Sequence, residues 1–148
     1  MNTITDYLTH DHRRCDDLFV TAENHVCKQA WSEASTCFSQ FRAGIEHHFE
    51  MEEQVLFPAF EQKTGSTEGP TEIMRNEHRQ IRAIIEMLMK SLALQEKDEY
   101  LGHSETMNIM IQQHNMKEEN ILYPMTDQLL GKIQPDMIDA MNKLDTGG

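Results

Sequence analysis

Cysteine is scarce and odd in number in this chain of 148 residues: only Cys15, Cys27 and Cys37 occur, and none forms a Cys-x-x-Cys pair. That argues against a disulfide framework and predicts reduced thiols packed within the fold. Basic residues are also few, 13 against 25 acidic ones, for a formal net charge of −12. Nucleic acid and anionic membrane surfaces are therefore poor partners, since both are gripped by clustered Lys and Arg. No apolar run approaches the roughly 18 residues a membrane span needs. The opening Met1-Asn2-Thr3-Ile4-Thr5-Asp6 lacks the basic and apolar regions of a secretory leader. Together these absences predict a cytoplasmic protein. The apolar share is only 39%, which could signal disorder if the apolar residues were scattered.

They are not scattered. Ile4, Leu8, Asp11, Cys15, Leu18, Ala22 and Val26 repeat at steps of three and four, predicting a helix from about 5 to 26. Ala34, Phe38, Phe41, Ile45, Val55 and Ala59 predict a second from about 32 to 62, Met74, Ile81, Ile85, Leu88 and Leu92 a third from about 71 to 95. Leu101, Met107, Ile111, Ile121 and Met125 predict a fourth from about 98 to 130. Nothing alternates like a strand. Pro70 suits a helix start, Asp98 an N-cap, and Pro58 and Pro124 are expected to kink or end their helices. A short helix from about 136 to 144 and a frayed tail at Thr146-Gly147-Gly148 are expected to follow. The prediction is one all-α domain over residues 1–148. Its up-down-up-down antiparallel four-helix bundle spans about 5–130, and a C-terminal extension with a short helix occupies 131–148.

Residues 47–58 (His-His-Phe-Glu-Met-Glu-Glu-Gln-Val-Leu-Phe-Pro) align without gaps to 113–124 (Gln-His-Asn-Met-Lys-Glu-Glu-Asn-Ile-Leu-Tyr-Pro), an offset of 66 positions (114 − 48). The same offset relates Asp11-His12-Arg13 to Glu77-His78-Arg79. The chain reads as two related helical hairpins. His12 and His48 stand at similar distances from the first turn, and His78 and His114 from the third. With a rise of about 1.5 Å per residue, all four imidazoles fall in one layer of the bundle. His48 and Glu52 are four apart, as are His114 and Glu118, so each pair shares a helix face. Four imidazoles and two carboxylates thus converge in an apolar core.

Buried carboxylates need a counter-charge, and no Lys or Arg lies on these stripes at that depth. Metal ions resolve the conflict. Six donors exceed a single tetrahedral zinc site, and mixed nitrogen and carboxylate ligation suits iron, manganese or zinc. Two carboxylates able to bridge favour a pair of octahedral irons. The Glu-x-x-His pairs of ferritin-like centres and the His-Glu-x-x-His of zinc proteases are both missing.

The double His-x3-Glu-Glu-x3-aromatic-Pro pattern, with Asp11-His12 and Glu77-His78, resembles the hemerythrin-like, or HHE cation-binding, family over about residues 5–130. The resemblance implies a non-haem di-iron centre with His12, His48, His78 and His114 as terminal ligands and Glu52 and Glu118 as bridges. Members bind dioxygen, sense oxygen or redox state, handle nitric oxide or peroxide, or assist iron–sulfur repair. Oxygen carriers of the family have a fifth histidine one turn before the third-helix ligand; here that position is Met74. The expectation is therefore a binding or sensing protein for O2 or NO, with NO or peroxide reduction or iron delivery to iron–sulfur clusters as the alternative. Asp16, four after His12, is a candidate substitute donor set against a structural or solvated role, and Gly44, four before His48, is read first as a position of close helix packing, with making room beside the metal as its second reading. Met107 and Met110 are candidates to line a gas path. His10 and His47 point off the ligand stripe, and His25 and His103 lie too far along their helices to join it.

Overall fold

The computed structural model describes residues 3–144, so the expected frayed tail at Thr146-Gly147-Gly148 lies outside the described residues. The first helix, α1 (Ile4–Cys27), opens at Thr3, whose hydroxyl accepts a 3.0 Å hydrogen bond from the Asp6 N–H. Helix α2 (Trp31–Met51) follows, then a π-helical turn (Glu52–Leu56) and α3 (Phe57–Thr64). Helix α4 (Pro70–Ala93) begins with proline at its first position, where a missing N–H costs nothing. Then come α5 (Lys97–Lys117), a second π-helical turn (Glu118–Leu122) and α6 (Tyr123–Leu130). A 3-10 turn (Gly131–Ile133) leads into α7 (Gln134–Asn142), which starts two residues earlier than the sequence pattern suggests. Helices α1 and α2 pack as one hairpin and α4 and α5 as the other, making the antiparallel four-helix bundle.

The 66-residue repeat extends into the turns. Gln29 (φ 55°) and Gln95 (φ 56°) both adopt the left-handed conformation that closes a helix, although neither is glycine. The Ala30 N–H donates to His25 O and the Glu96 N–H to Ser91 O, both at 2.9 Å, so the last carbonyls of α1 and α4 are capped identically. Asp98 is not the N-cap of α5. Glu96 holds that place without a side-chain hydrogen bond, and Asp98 sits in the first turn, where its charge favours the helix dipole.

The two inner prolines neither end their helices nor leave them regular. Pro58 cannot donate to a carbonyl four residues back, and its ring crowds that carbonyl. The preceding turn widens instead: the Phe57 N–H donates to Glu52 O, and the Tyr123 N–H to Glu118 O, five residues back. Such widened turns bulge a helix outward and re-aim its side chains. Each one begins at a candidate ligand, Glu52 or Glu118.

Two apolar clusters fill the bundle. Phe19, Phe38, Phe41, Ile85, Leu88 and Tyr100 pack toward the 28–30 and 94–96 turns. Leu8, Leu56, Phe57, Met74, Leu122 and Met141 pack toward the opposite end. Each fully buried aliphatic or aromatic side chain contributes roughly 1.5–3 kcal/mol of transfer free energy. Between the clusters runs a polar layer, reached on α1 after Leu8 and before Cys15, and on α4 after Met74 and before Ile81. Trp31 opens α2 and, like Met110, packs partly buried against the first cluster, which contains Met107.

Candidate metal centre

The polar layer is made of His12, His48, Glu52, His78, His114 and Glu118, each at most 4% exposed. Amphipathic packing puts them there: every one lies on the apolar stripe of its helix, so the packing that buries Leu8 and Ile81 also buries the donors. They form two overlapping groups. His12, His48, Glu52 and Glu118 bring one donor atom each within 4.8 Å of one another, and so do Glu52, His78, His114 and Glu118. The two carboxylates belong to both groups.

Behind the imidazoles stands a second set of carboxylates. The Nδ1 atoms donate to Glu119 Oε2 from His12 (2.7 Å), to Asp11 Oδ2 from His48 (2.8 Å), to Glu53 Oε2 from His78 (2.6 Å) and to Glu77 Oε1 from His114 (2.8 Å). Once Nδ1 carries the proton, the Nε2 lone pair is directed inward, the orientation a metal-ligating imidazole takes. His78 Nε2 lies 3.0 Å from Glu52 Oε1, and His114 Nε2 lies 3.3 Å from Glu118 Oε1. Neither pair is hydrogen-bonded, and both Nε2 atoms, with Glu52 Oε1 and Glu118 Oε2, are buried without a hydrogen-bond partner. Orphaned donors and acceptors of this kind cost about 1–3 kcal/mol each. A cation between them satisfies all four, so the residues present fit a metal.

Charge supports the same conclusion. Burial pulls the His114 imidazolium down, but Glu118, Glu77 and Glu52 outweigh it and raise its pKa to about 10. Burial likewise disfavours ionised Glu52, yet His48, Glu118 and His78 hold it well below the usual carboxylate range. The layer is built for ionised carboxylates facing positive charge, which protons or metal ions can supply.

All six residues expected to converge are brought together. Asp16 is not among them: it lies in neither donor group, near Gln112 and Glu119. Gly44 does not face the donors either. A Cβ there would lie 3.2 Å from Arg14 Nη1 and 3.5 Å from Cys15 Sγ, so the glycine makes room for Arg14. Arg14 in turn reaches Asp11 at 2.9 Å and steadies the carboxylate behind His48. His10, His25, His47 and His103 lie outside both groups.

Two features escape a reading of the sequence. The outer carboxylates Asp11, Glu53, Glu77 and Glu119 are visible in the repeated motif, but their pairing is crossed: Asp11, adjacent to His12, serves His48 on the next helix. The second is Tyr123, whose hydroxyl donates to Glu52 Oε2 (2.6 Å) and lies 2.9 Å from Glu118 Oε1 and 3.2 Å from both His12 Nε2 and His48 Nε2. The only sequence signal was the change from Phe57 to Tyr123 at one place in the repeat.

A four-helix bundle with two His/Glu donor groups sharing a pair of carboxylates belongs to the class of helical cation-binding proteins. The family model of the hemerythrin HHE cation-binding domain matches residues 3–126, and the chain belongs to that family. Comparison with curated proteins and with solved structures gave no match. No helix among the described residues is long and apolar enough to cross a membrane.

Proposed function

We propose that the chain holds two iron ions and uses them to bind a small ligand, O2 or NO, in an oxygen- or redox-sensing role. His12 and His48 would hold one iron, His78 and His114 the other, and Glu52 and Glu118 would bridge them. The reading is carried by the sharing of Glu52 and Glu118 between two otherwise separate donor groups. Iron held this way supplies reversible redox change and coordination positions for an exogenous ligand. The protein's own contribution is orientation and exclusion of water. Asp11, Glu53, Glu77 and Glu119 fix each imidazole through Nδ1, and the apolar clusters on both sides keep the layer dry.

Anaerobic loading with ferrous iron, a metal count and an optical spectrum before and after air test this reading. It requires about two irons per chain and the spectrum of coupled ferric iron. A folded protein that takes up none sinks it. Met74, buried where the fifth histidine of oxygen carriers would stand, argues against a plain reversible oxygen carrier and leaves NO or peroxide reduction, or iron delivery to iron–sulfur clusters, as the alternative. Repeated turnover, against binding of a fixed number of equivalents, separates the two.

A further inference from the structure

The repeat lets the outer surfaces of the two hairpins be compared position by position. Nine large apolar side chains are exposed among the described residues; seven lie between 70 and 130, and only Val20 lies between 4 and 64. Four of the seven, Ile73, Met87, Leu94 and Ile121, border the groove between α4 and α5. Each of these four is at least 50% exposed. From Ile73 the positions at alternating steps of four and three are Glu77, Gln80, Ile84, Met87, Ser91 and Leu94, the spacing of a coiled-coil seam. The seam runs beside α5, because Glu77 accepts hydrogen bonds there from His114 and Lys117. The other flank of α4 is already occupied: Arg75 pairs with Glu61, and Arg82 with Glu46 and Glu53.

The first hairpin closes the same stripe at both ends. Tyr7 and Val55, equivalent to Ile73 and Ile121, are partly buried against a cluster that includes Met137 and Met141 of α7. The Tyr7 hydroxyl donates to Asn142 at the end of that helix. Thr21 and Lys28, equivalent to Met87 and Leu94, are polar. The fold thus seats an apolar helix face on the very place that stays bare beside α4 and α5.

The bare groove is self-complementary in charge. Glu68 and Lys117 rim the depression at its Ile73 end, and Lys90, Glu96 and Glu99 rim the one at its Leu94 end. Turn a second copy end for end about an axis that crosses α4 and α5 at the level of Ile84. Like helices then face each other antiparallel. Ile73 meets the partner's Leu94, and Ile84 lies at the axis beside the partner's Ile84. Lys90 meets the partner's Glu77, and Lys117 the partner's Glu99. Every off-axis pair occurs twice. The seam from Ile73 to Leu94 is about 32 Å long at about 1.5 Å per residue, and two neighbouring helices are about 20 Å across. The strip therefore offers about 600 Å² per copy, and about 1,200 Å² in total is the lower end of specific interfaces.

We propose that the α4–α5 groove is the interface of a two-fold dimer of this chain, with Ile73, Ile84, Met87 and Leu94 as its apolar line and the flanking Lys and Glu residues as its rim. None of the six metal-layer donors lies on this surface, so metal loading and dimer formation are measured separately. Glu77 does lie on it, so the carboxylate behind His114 is enclosed by the assembly while Asp11, its counterpart behind His48, is not.

Sedimentation equilibrium of the full chain, metal-free and iron-loaded, over about 1 to 200 µM tests the proposal. A reversible dimer of twice 17.2 kDa is expected, with a Kd in the micromolar range. Met87→Thr with Leu94→Lys copies Thr21 and Lys28 onto the groove and should weaken the dimer by about 100-fold or more, since each change acts twice. Glu99→Lys faces the partner's Lys117 and should weaken it by about tenfold. Glu33→Lys makes the same charge change at the equivalent place in the first hairpin and should not weaken it. Helical circular dichroism checks each variant, and if the double variant unfolds, the two glutamate variants decide alone. A chain still monomeric at about 200 µM overturns the proposal. So does a dimer that the folded Met87→Thr/Leu94→Lys variant leaves intact, or one that Glu99→Lys and Glu33→Lys affect alike.

Discussion

Residues 4–64 and 70–130 build the same inner layer but brace it differently. In both halves an acid stands behind each imidazole, and in both the acid one helix away from its histidine is clamped by a cation: Arg14 on Asp11 at 2.9 Å, Lys117 on Glu77 at 2.5 Å. The other two acids part company. Glu53, behind His78, is held by Arg82 at 2.9 Å, and Arg82 also binds Glu46 and lies 5.1 Å from the centroid of the Phe49 ring. At the equivalent place behind His12, Glu119 faces Asp16 where Arg82 would be and Gln112 where Glu46 would be. The donors are fixed by what both halves must share, while the residues one step outward are free to diverge. Symmetric ligation and asymmetric support are thus separate properties of one fold.

The largest break in that symmetry comes from removing a shared donor. Glu52 belongs to both donor groups and His78 to one. Glu52→Ala should therefore lower affinity at both metal positions by on the order of 100-fold or more, leaving about no iron after desalting. His78→Ala should leave about one iron, held by His12, His48 and the carboxylates. Iron per chain, measured beside a helical circular dichroism spectrum, decides it. One iron retained by Glu52→Ala refutes the sharing.

Acidity reaches both halves alike. Without metal, the His114 pKa of about 10 lies above the ordinary histidine value of roughly 6.5. Its pairing with Glu118 and Glu77 is complete below the unfolded value and is lost as pH rises through the folded one. His48 is displaced in the same direction. Glu77 runs the other way: the hydrogen bond from His114, opposed by burial, holds it at about 2, so its contribution is present above about 4.5 and vanishes as pH falls through the folded value. Metal-free protein should therefore melt several degrees lower at about pH 10 than at about pH 7, and iron-loaded protein should show a shallower slope, because its imidazoles are already neutral. Thermal unfolding of both forms over that range checks the sign.

Most of this architecture was legible from periodicity. Histidines on apolar stripes at equal distances from short turns have to meet, and the 66-residue offset places the glutamates beside them. Three things were not legible. The crossed pairing of Asp11 with His48 depends on how the helices are rotated against each other, which a stripe leaves open. The π-helical turns arise from a contest between Pro58 or Pro124 and the continuing helix, and tertiary packing, absent from local propensity, decides that contest. The reach of the Tyr123 hydroxyl depends on that widened turn, so a substitution that looks conservative in sequence enters the centre of the donor layer. Gly44 serves close helix packing, its first reading, and not room beside the metal: one turn before His48 along α2, the space it frees is filled across the interface from α1.

The smallest expected effect isolates the outer brace. Arg82→Gln removes a partly exposed cation that touches Glu46, Glu53 and the Phe49 ring. Solvent screens such pairs, so the combined loss is about 1 kcal/mol, or about 3 °C in Tm. Asp16→Asn acts on the corresponding position with the opposite charge. Burial, Glu119 and Asp17 raise the Asp16 pKa, while His12 and Gln112 pull it down. Neutralising the side chain removes the burial cost of its charge and a repulsion with Glu119 while giving up an attraction to His12, and partial exposure keeps the net gain within about 0.5 kcal/mol. Denaturant midpoints of the two single variants and of the double variant should add, since the sites lie behind different histidines in different halves. A coupling well above about 0.5 kcal/mol contradicts independent bracing and shows that the two outer shells communicate through the shared carboxylates.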